Sequence, residues 1–196
     1  VHLLLKENGQ KNLRKSRINK KFVYLISPNN IKNEKFYIKL NEVLRSKKVS
    51  FFQLRLKETS LKNKIYIAKK IKKICKKYQV KFLINDDPLI AKKINADGCH
   101  LGQKDMNIIY AKKILKNKII GVTCHNSIEL AKKAISNGAN YLAFGAFYST
   151  KTKKIKYKAS LKILHLAKKL TNTPIVAVGG IKDTNYKKLL LNKANF

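Results

Sequence analysis

Acidic residues are scarce: ten Asp and Glu stand against 45 Lys and Arg in 196 residues, a net charge of +35. Cysteine is sparser still. Cys75, Cys99 and Cys124 form no CxxC pair and no even-numbered framework, which excludes a disulfide-built scaffold and fits a reducing cytoplasm. Long apolar runs are missing as well. Lysine interrupts each run well short of the ~18 residues that a membrane-spanning helix needs. The opening VHLLLKENGQKN has too short an apolar stretch for a secretory signal, so none is expected. What is there is 44% hydrophobic, at a mean hydropathy of −0.32, with apolar residues recurring from Phe22 onward. That suffices for one core, leaves too little for two ordinary domains, and excludes long-range disorder.

The charge has two readings. One is a nucleic-acid binder. The other is compositional: four of the 45 cations are Arg (Arg14, Arg17, Arg45, Arg55) and the other 41 are Lys. Lysine shares A/T-rich codons with the abundant Asn and Ile, and a drifting genome fills tolerant surface positions with it. The lysines also sit on the solvent side of helical stretches such as AKKIKKICKKY (68–78). Arg forks and stacked aromatics, which read bases, are not concentrated anywhere. The expectation is no specific nucleic-acid partner and no membrane, although polyanionic ligands would be drawn to such a field.

From Phe22 onward, β-rich runs alternate with amphipathic stretches. The strands expected are FVYLIS (22–27), SFFQLRL (50–56), VKFLIN (80–85), ADGCHL (96–101), KIIGVT (118–123), NYLAFG (140–145) and PIVAVG (174–179). Helices are expected at 60–78, where Leu61, Ile65, Ala68, Ile71 and Cys75 share a face, and at 127–137. This alternation predicts βα units around a parallel sheet. An open doubly wound sheet usually carries a glycine-rich loop after its first strand, and SPNN stands there instead. The fold class expected is therefore α/β, a (β/α)₈ TIM barrel with about seven units present. The ending NKANF reads as the lead-in to an eighth strand, so the last unit is expected to be missing. Residues 1–21 fit no unit and read as a basic N-terminal extension before a barrel over 22–196. Unpaired edges on strands one and seven would then invite self-association.

In such a barrel the active site lies at the carboxyl ends of the strands. Those ends carry Gln53, Arg55 and Lys57, then Asn85, Asp86 and Asp87, then His100, Gln103 and Asp105. Thr123 and His125 follow, then Ser149, Thr150, Thr152 and Lys153, and finally Gly179 and Gly180. Two carboxylates with open positions, Asp86 and Asp105, suit Mg²⁺, which keeps waters and takes further ligands from phosphates. Arg55, Lys57 and Lys153 could hold those phosphates. Gly179 and Gly180, ahead of a helix starting near Asp183, offer backbone N–H groups to a second phosphate. Each residue has an ordinary alternative. Arg55 could be an ion-pair partner, Asp86 a helix cap, and Asp97 a turn residue. His100 and His125 could be structural, and the cysteines small core residues. The set outweighs its members because all fall at one end of successive strands.

These segments resemble the thiamine-phosphate synthase family. The matching stretches are FFQLRLK (51–57), INDDPLIAKKINADGCHLGQKDM (84–106), IIGVTCHN (119–126), ANYLAFGAFYSTKTKK (139–154) and PIVAVGGI (174–181), within a resemblance that spans about 22–196. The resemblance implies a transferase that joins hydroxymethylpyrimidine pyrophosphate to a thiazole phosphate. Pyrophosphate leaves, with CO₂ as well when the thiazole is carboxylated. By similarity, Gln53, Leu54, Arg55, Leu56, Lys57, Asn85, Thr123 and Lys153 contact the pyrimidine pyrophosphate. Arg55, Lys57 and Lys153 act on the departing group, and Thr150, Lys151, Thr152 and Gly180 hold the thiazole phosphate. Asp86 and Asp105 bind Mg²⁺. Thr123 stands where the family usually has Ser, which keeps the hydroxyl and adds a methyl. A thiazole tautomerase-like relative would not need the pyrimidine set, and its intactness here argues against one. A nucleic-acid binder on a decayed barrel is the alternative from another class.

Overall fold

The computed structural model describes residues 22–150 and 156–196. Seven strands pair in parallel and in chain order: β1 (Val23–Ile26), β2 (Val49–Leu54), β3 (Lys81–Asn85), β4 (Gly98–Leu101), β5 (Ile119–His125), β6 (Tyr141–Phe144) and β7 (Ile175–Ala177). Between and after them lie α1 (Glu34–Arg45), α2 (Leu61–Lys77), α3 (Pro88–Lys93), α4 (Ile108–Leu115), α5 (Ile128–Ser136), α6 (Leu161–Leu170) and α7 (Tyr186–Leu191). The strands curl into a nearly closed barrel. The proposed extension at 1–21 lies outside the described residues.

Alternation along each strand separates two cores. Phe52, Phe82, Cys99, Ile120, Leu142 and Ile175 face outward and pack under the helices. Tyr24, Phe51, Leu83, Ile119, Tyr141 and Val176 face inward and fill the barrel. Gly121 serves that inner core directly. A Cβ there would stand 1.8 Å from the Tyr141 ring, so glycine makes room for the tyrosine. The cysteines are buried and unpaired, and burial pushes the Cys75 and Cys124 thiols up to about 12. They remain protonated core residues.

Residues 195–196 complete the wrap. Phe196 N–H donates to Ile175 O at 3.2 Å, and Ala177 N–H donates to Phe196 O at 2.8 Å, the pattern of a parallel neighbour. The Phe196 ring meets Phe51 of β2 edge-on at 5.2 Å. The expected free edge on β7 is therefore partly covered, while among the described residues β1 pairs with β2 alone. Most strand boundaries move inward from the expected ones, while β2 begins one residue earlier and β5 ends two residues later. Ala96 and Asp97 precede β4, and the Asp97 carboxylate accepts the Phe82 N–H at 2.9 Å. The helix expected near Asp183 begins at Tyr186 instead. Asn185 holds the preceding turn: its Oδ1 accepts Lys182 N–H at 2.8 Å, and its Nδ2 donates to Gly180 O at 3.1 Å.

Candidate active site

Period two carries Gln53 to the inner face of β2 alongside Phe51, opposite Ile26 and Leu83. Gln53 is 2% exposed, and its Nε2 has no hydrogen-bond partner among the described residues. A buried amide left unpaired costs about 1–3 kcal/mol, so the group fits a ligand acceptor. Just past the strand, the Arg55 N–H donates to the buried Ser27 Oγ at 2.9 Å, and its guanidinium donates to Asn29 Oδ1. That partner is an amide, which leaves the guanidinium free to bind an anion as well. Among the described residues no carboxylate pairs with Arg55. The Leu54 and Leu56 side chains pack in the outer core, which leaves only their backbone to a ligand at the mouth.

At the end of β3 the chain turns sharply. Asp86 takes the left-handed conformation at φ 66°, which Asp tolerates, and its N–H donates to His100 O at 2.8 Å. The helix cap is the next residue: Asp87 Oδ1 accepts the Ile90 N–H at 2.9 Å, with Pro88 opening α3. Asp86 is thereby released for other work. Its carboxylate accepts from Lys57 Nζ at 2.5 Å and lies within hydrogen-bonding reach of Asp105. Asp105 is itself held by the Gly102 N–H, at 2.7 Å. Burial alone would push both carboxyls up. Lys57 overrides this at Asp86 and holds it below the ordinary carboxylate value. At Asp105, burial and the adjacent Asp86 together push it up. Two neighbouring carboxylates can share a proton or a cation, and among the described residues no third His, Cys, Asp or Glu joins them. The donor set fits a hard divalent ion that retains water and phosphate ligands. Beside it opens a cleft of about 500 Å³, lined by Lys57, Lys64, Asn85, Asp86 and Met106 among others.

Inside the mouth, Thr123 Oγ1 lies 2.8 Å from His100 Nε2, and the Gln103 side chain donates to the Thr123 carbonyl. His100 continues inward to Tyr141 and Tyr24. The two tyrosines were missed from the sequence, although their inward parity on β6 and β1 was the available signal. At β5, the pairing shifts between Thr123 and His125, and His125 leaves the strand at φ 53° to stack on Tyr157 at 4.1 Å.

Across the mouth, the loop after β6 zips onto the chain after β7. Phe147 N–H donates to Val178 O at 3.2 Å and Tyr148 N–H to Gly179 O at 3.0 Å. Gly180 sits at φ 64°, and a Cβ on it would stand 2.3 Å from Ser149 O. This pairing brings the loop that carries Thr150 against Gly180. Lys151, Thr152 and Lys153 lie outside the described residues.

Comparisons with known proteins agree on one family. The profile described as thiamine monophosphate synthase matches residues 23–196. The thiamine-phosphate synthase of Pelagibacter ubique is 72% identical over 184 residues, covering 94% of this chain and 89% of its own. That of Saccharophagus degradans is 41% identical over 143 residues, covering 72% and 66%. Among solved structures, thiamine phosphate pyrophosphorylase from Pyrococcus furiosus superposes with a TM-score of 0.77 at 29% identity, over 90% of this chain and 84% of that one. 3-Hexulose-6-phosphate synthase, with a TM-score of 0.59 at 17% identity over 88% of this chain and 87% of that one, shares the fold alone.

Proposed function

Since the chain belongs to the thiamine monophosphate synthase family, we propose that its mouth joins hydroxymethylpyrimidine pyrophosphate to a thiazole phosphate. The observation that carries this reading is the cluster of Lys57, Asp86 and Asp105 beside the buried Gln53 amide and an Arg55 guanidinium that, among the described residues, meets an amide and no carboxylate. Such a set recognises a pyrophosphate tethered to a polar ring. The methylene C–O bond breaks, its electron pair leaves on pyrophosphate, and the pyrimidine methylene carries cationic character until the thiazole nitrogen forms the C–N bond. Lys57, Arg55 and Lys153 stabilise the charge that develops on the departing oxygens. Mg²⁺ held by Asp86 and Asp105 would supply further neutralisation of the same charge. No side-chain nucleophile is required, because the bond forms directly between the two substrates.

Asn85 and Thr123 position the pyrimidine end. Thr150, Lys151, Thr152 and the backbone of Gly180 take the thiazole phosphate. Both substrates are charged phosphate esters that do not cross bilayers unaided, which supports a reaction in the compartment that makes them, read here as the cytoplasm. Among the described residues no helix is long and apolar enough to cross a membrane. The test is direct: incubate the chain with both substrates and Mg²⁺, and follow thiamine phosphate and pyrophosphate. Equimolar products are expected. Their absence, with both substrates recovered intact, overturns the reading.

A further inference from the structure

The hydrogen bond to Thr123 is one end of a line that runs away from the mouth. Thr123 Oγ1 meets His100 Nε2 at 2.8 Å, His100 Nδ1 meets Tyr141 Oη at 2.8 Å, and Tyr141 Oη meets Tyr24 Oη at 2.6 Å. Four residues on four strands thus share three bonds. The line ends at Tyr24, whose hydroxyl has Tyr141 as its hydrogen-bond partner among the described residues. Around that end are aromatic faces: Phe51 and Tyr141 at 5.6 Å and His100 at 6.5 Å.

Protons along this line can be counted. Burial holds both phenols above their ordinary values, so each keeps its one proton. A buried O–H without an acceptor bears the full cost of its lost hydration. Only one arrangement avoids that cost. Tyr24 donates to Tyr141, Tyr141 donates to His100 Nδ1, and His100 donates from Nε2 to Thr123. A neutral ring that carries its proton on Nδ1 instead strands one phenolic proton. With its oxygen already accepting from His100, Thr123 then turns its own proton toward the mouth.

We propose that the line Tyr24–Tyr141–His100, with Tyr141 buried and its two neighbours half-buried, fixes His100 as its Nε2–H tautomer and so makes Thr123 a dedicated donor to a pyrimidine ring nitrogen. This rests on the reading that the mouth takes a pyrimidine pyrophosphate. His100, Tyr141 and Tyr24 are positioning residues, since they act through Thr123. The assignment also gives a reason for a hydroxyl at this place, which the added methyl of Thr leaves intact.

Two measurements test it. In the free protein, ¹⁵N–¹H correlation of the imidazoles, with His100 assigned through H100Q, should show the neutral His100 ring protonated at Nε2. A neutral ring protonated at Nδ1 overturns the proposal. In steady-state kinetics, Thr123→Ser should keep KM for the pyrimidine pyrophosphate within about twofold, while Thr123→Val raises it about tenfold, the loss of one hydrogen bond. Tyr141→Phe removes no group at the mouth, yet it should both displace the His100 signals and raise that KM about fivefold. If Tyr141→Phe leaves signals and KM unchanged, the line does not control Thr123. Absence of any turnover by the unmodified chain overturns the assignment of the pyrimidine as acceptor, while the imidazole spectrum still decides the tautomer.

Discussion

On the β2–β4 side of the mouth the chemistry belongs to side chains: Lys57 on Asp86, Asp86 beside Asp105, Arg55 on Asn29. On the β6–β7 side what the described residues supply is backbone, with Gly180 at φ 64° and the 147–148 segment paired to 178–179. The difference teaches where each half is vulnerable. A charge can be removed from the first half without moving the chain. In the second half, adding a single carbon meets a carbonyl at 2.3 Å. Substitutions should therefore separate activity from stability on one side and couple them on the other.

Asp86→Asn gives the largest effect. Asn keeps the tolerance for a left-handed residue and removes only the charge, so turnover with Mg²⁺ should fall about 10³-fold while Tm stays within a degree or two. Coupled activity and melting measurements on one preparation check both halves of that statement. Next come the lysines. Lys57→Ala and Lys153→Ala should each lower kcat about 10²-fold, the loss of one preorganised contact to a leaving group. Lys70, which pairs with Glu34 at 2.8 Å on the outer surface, is the control, and Lys70→Ala should leave kcat unchanged. Equal effects at all three would reduce the lysines to a generic field.

Gly180→Ala should behave differently in kind. Its KM for the thiazole phosphate should rise about tenfold and Tm should fall together, because a Cβ at positive φ costs about 1–2 kcal/mol even before the clash. A variant with raised KM and wild-type Tm would break the comparison. The smallest effect is on stability alone. Asp105 is raised in the fold, so its ionisation opposes folding: that cost is absent below its unfolded pKa and grows as pH rises through the folded one. Asp105→Asn should thus raise Tm by about 2 °C at neutral pH without divalent ions, with the gain vanishing as pH falls. Added Mg²⁺ should raise Tm of the parent chain and not of this variant.

Much of the site was legible because β alternation is strict. Gln53, Arg55 and Lys57 share one parity, as do Leu83 and Asn85, and Gly121 and Thr123, so strand ends could be read as a mouth. Asp86 was harder. Its neighbour Asp87 is the cap, and two adjacent aspartates before proline offer the same local chemistry to either role. Only the left-handed turn at Asp86 separates them. His100 is open to a structural and a site reading in the sequence, and in the fold it bonds inward to Tyr141 and outward to Thr123.

The chain's own pattern determined the βα order, the inward and outward faces of each strand, and the gathering of phosphate-binding residues at one end, because these follow from local periodicity. Tertiary structure decided the rest. Whether Arg55 meets a carboxylate or an amide depends on where residue 29, 26 positions earlier in the chain, lies once the barrel has folded. Whether Asp86 and Asp105 touch depends on the pairing of β3 with β4. The line from Tyr24 to Thr123 joins residues up to 117 positions apart, and it exists only because the barrel closes far enough to face β1 toward β6. Hydrogen-bond geometry between distant strands has no period in the sequence, since it is set by the curvature of the whole sheet.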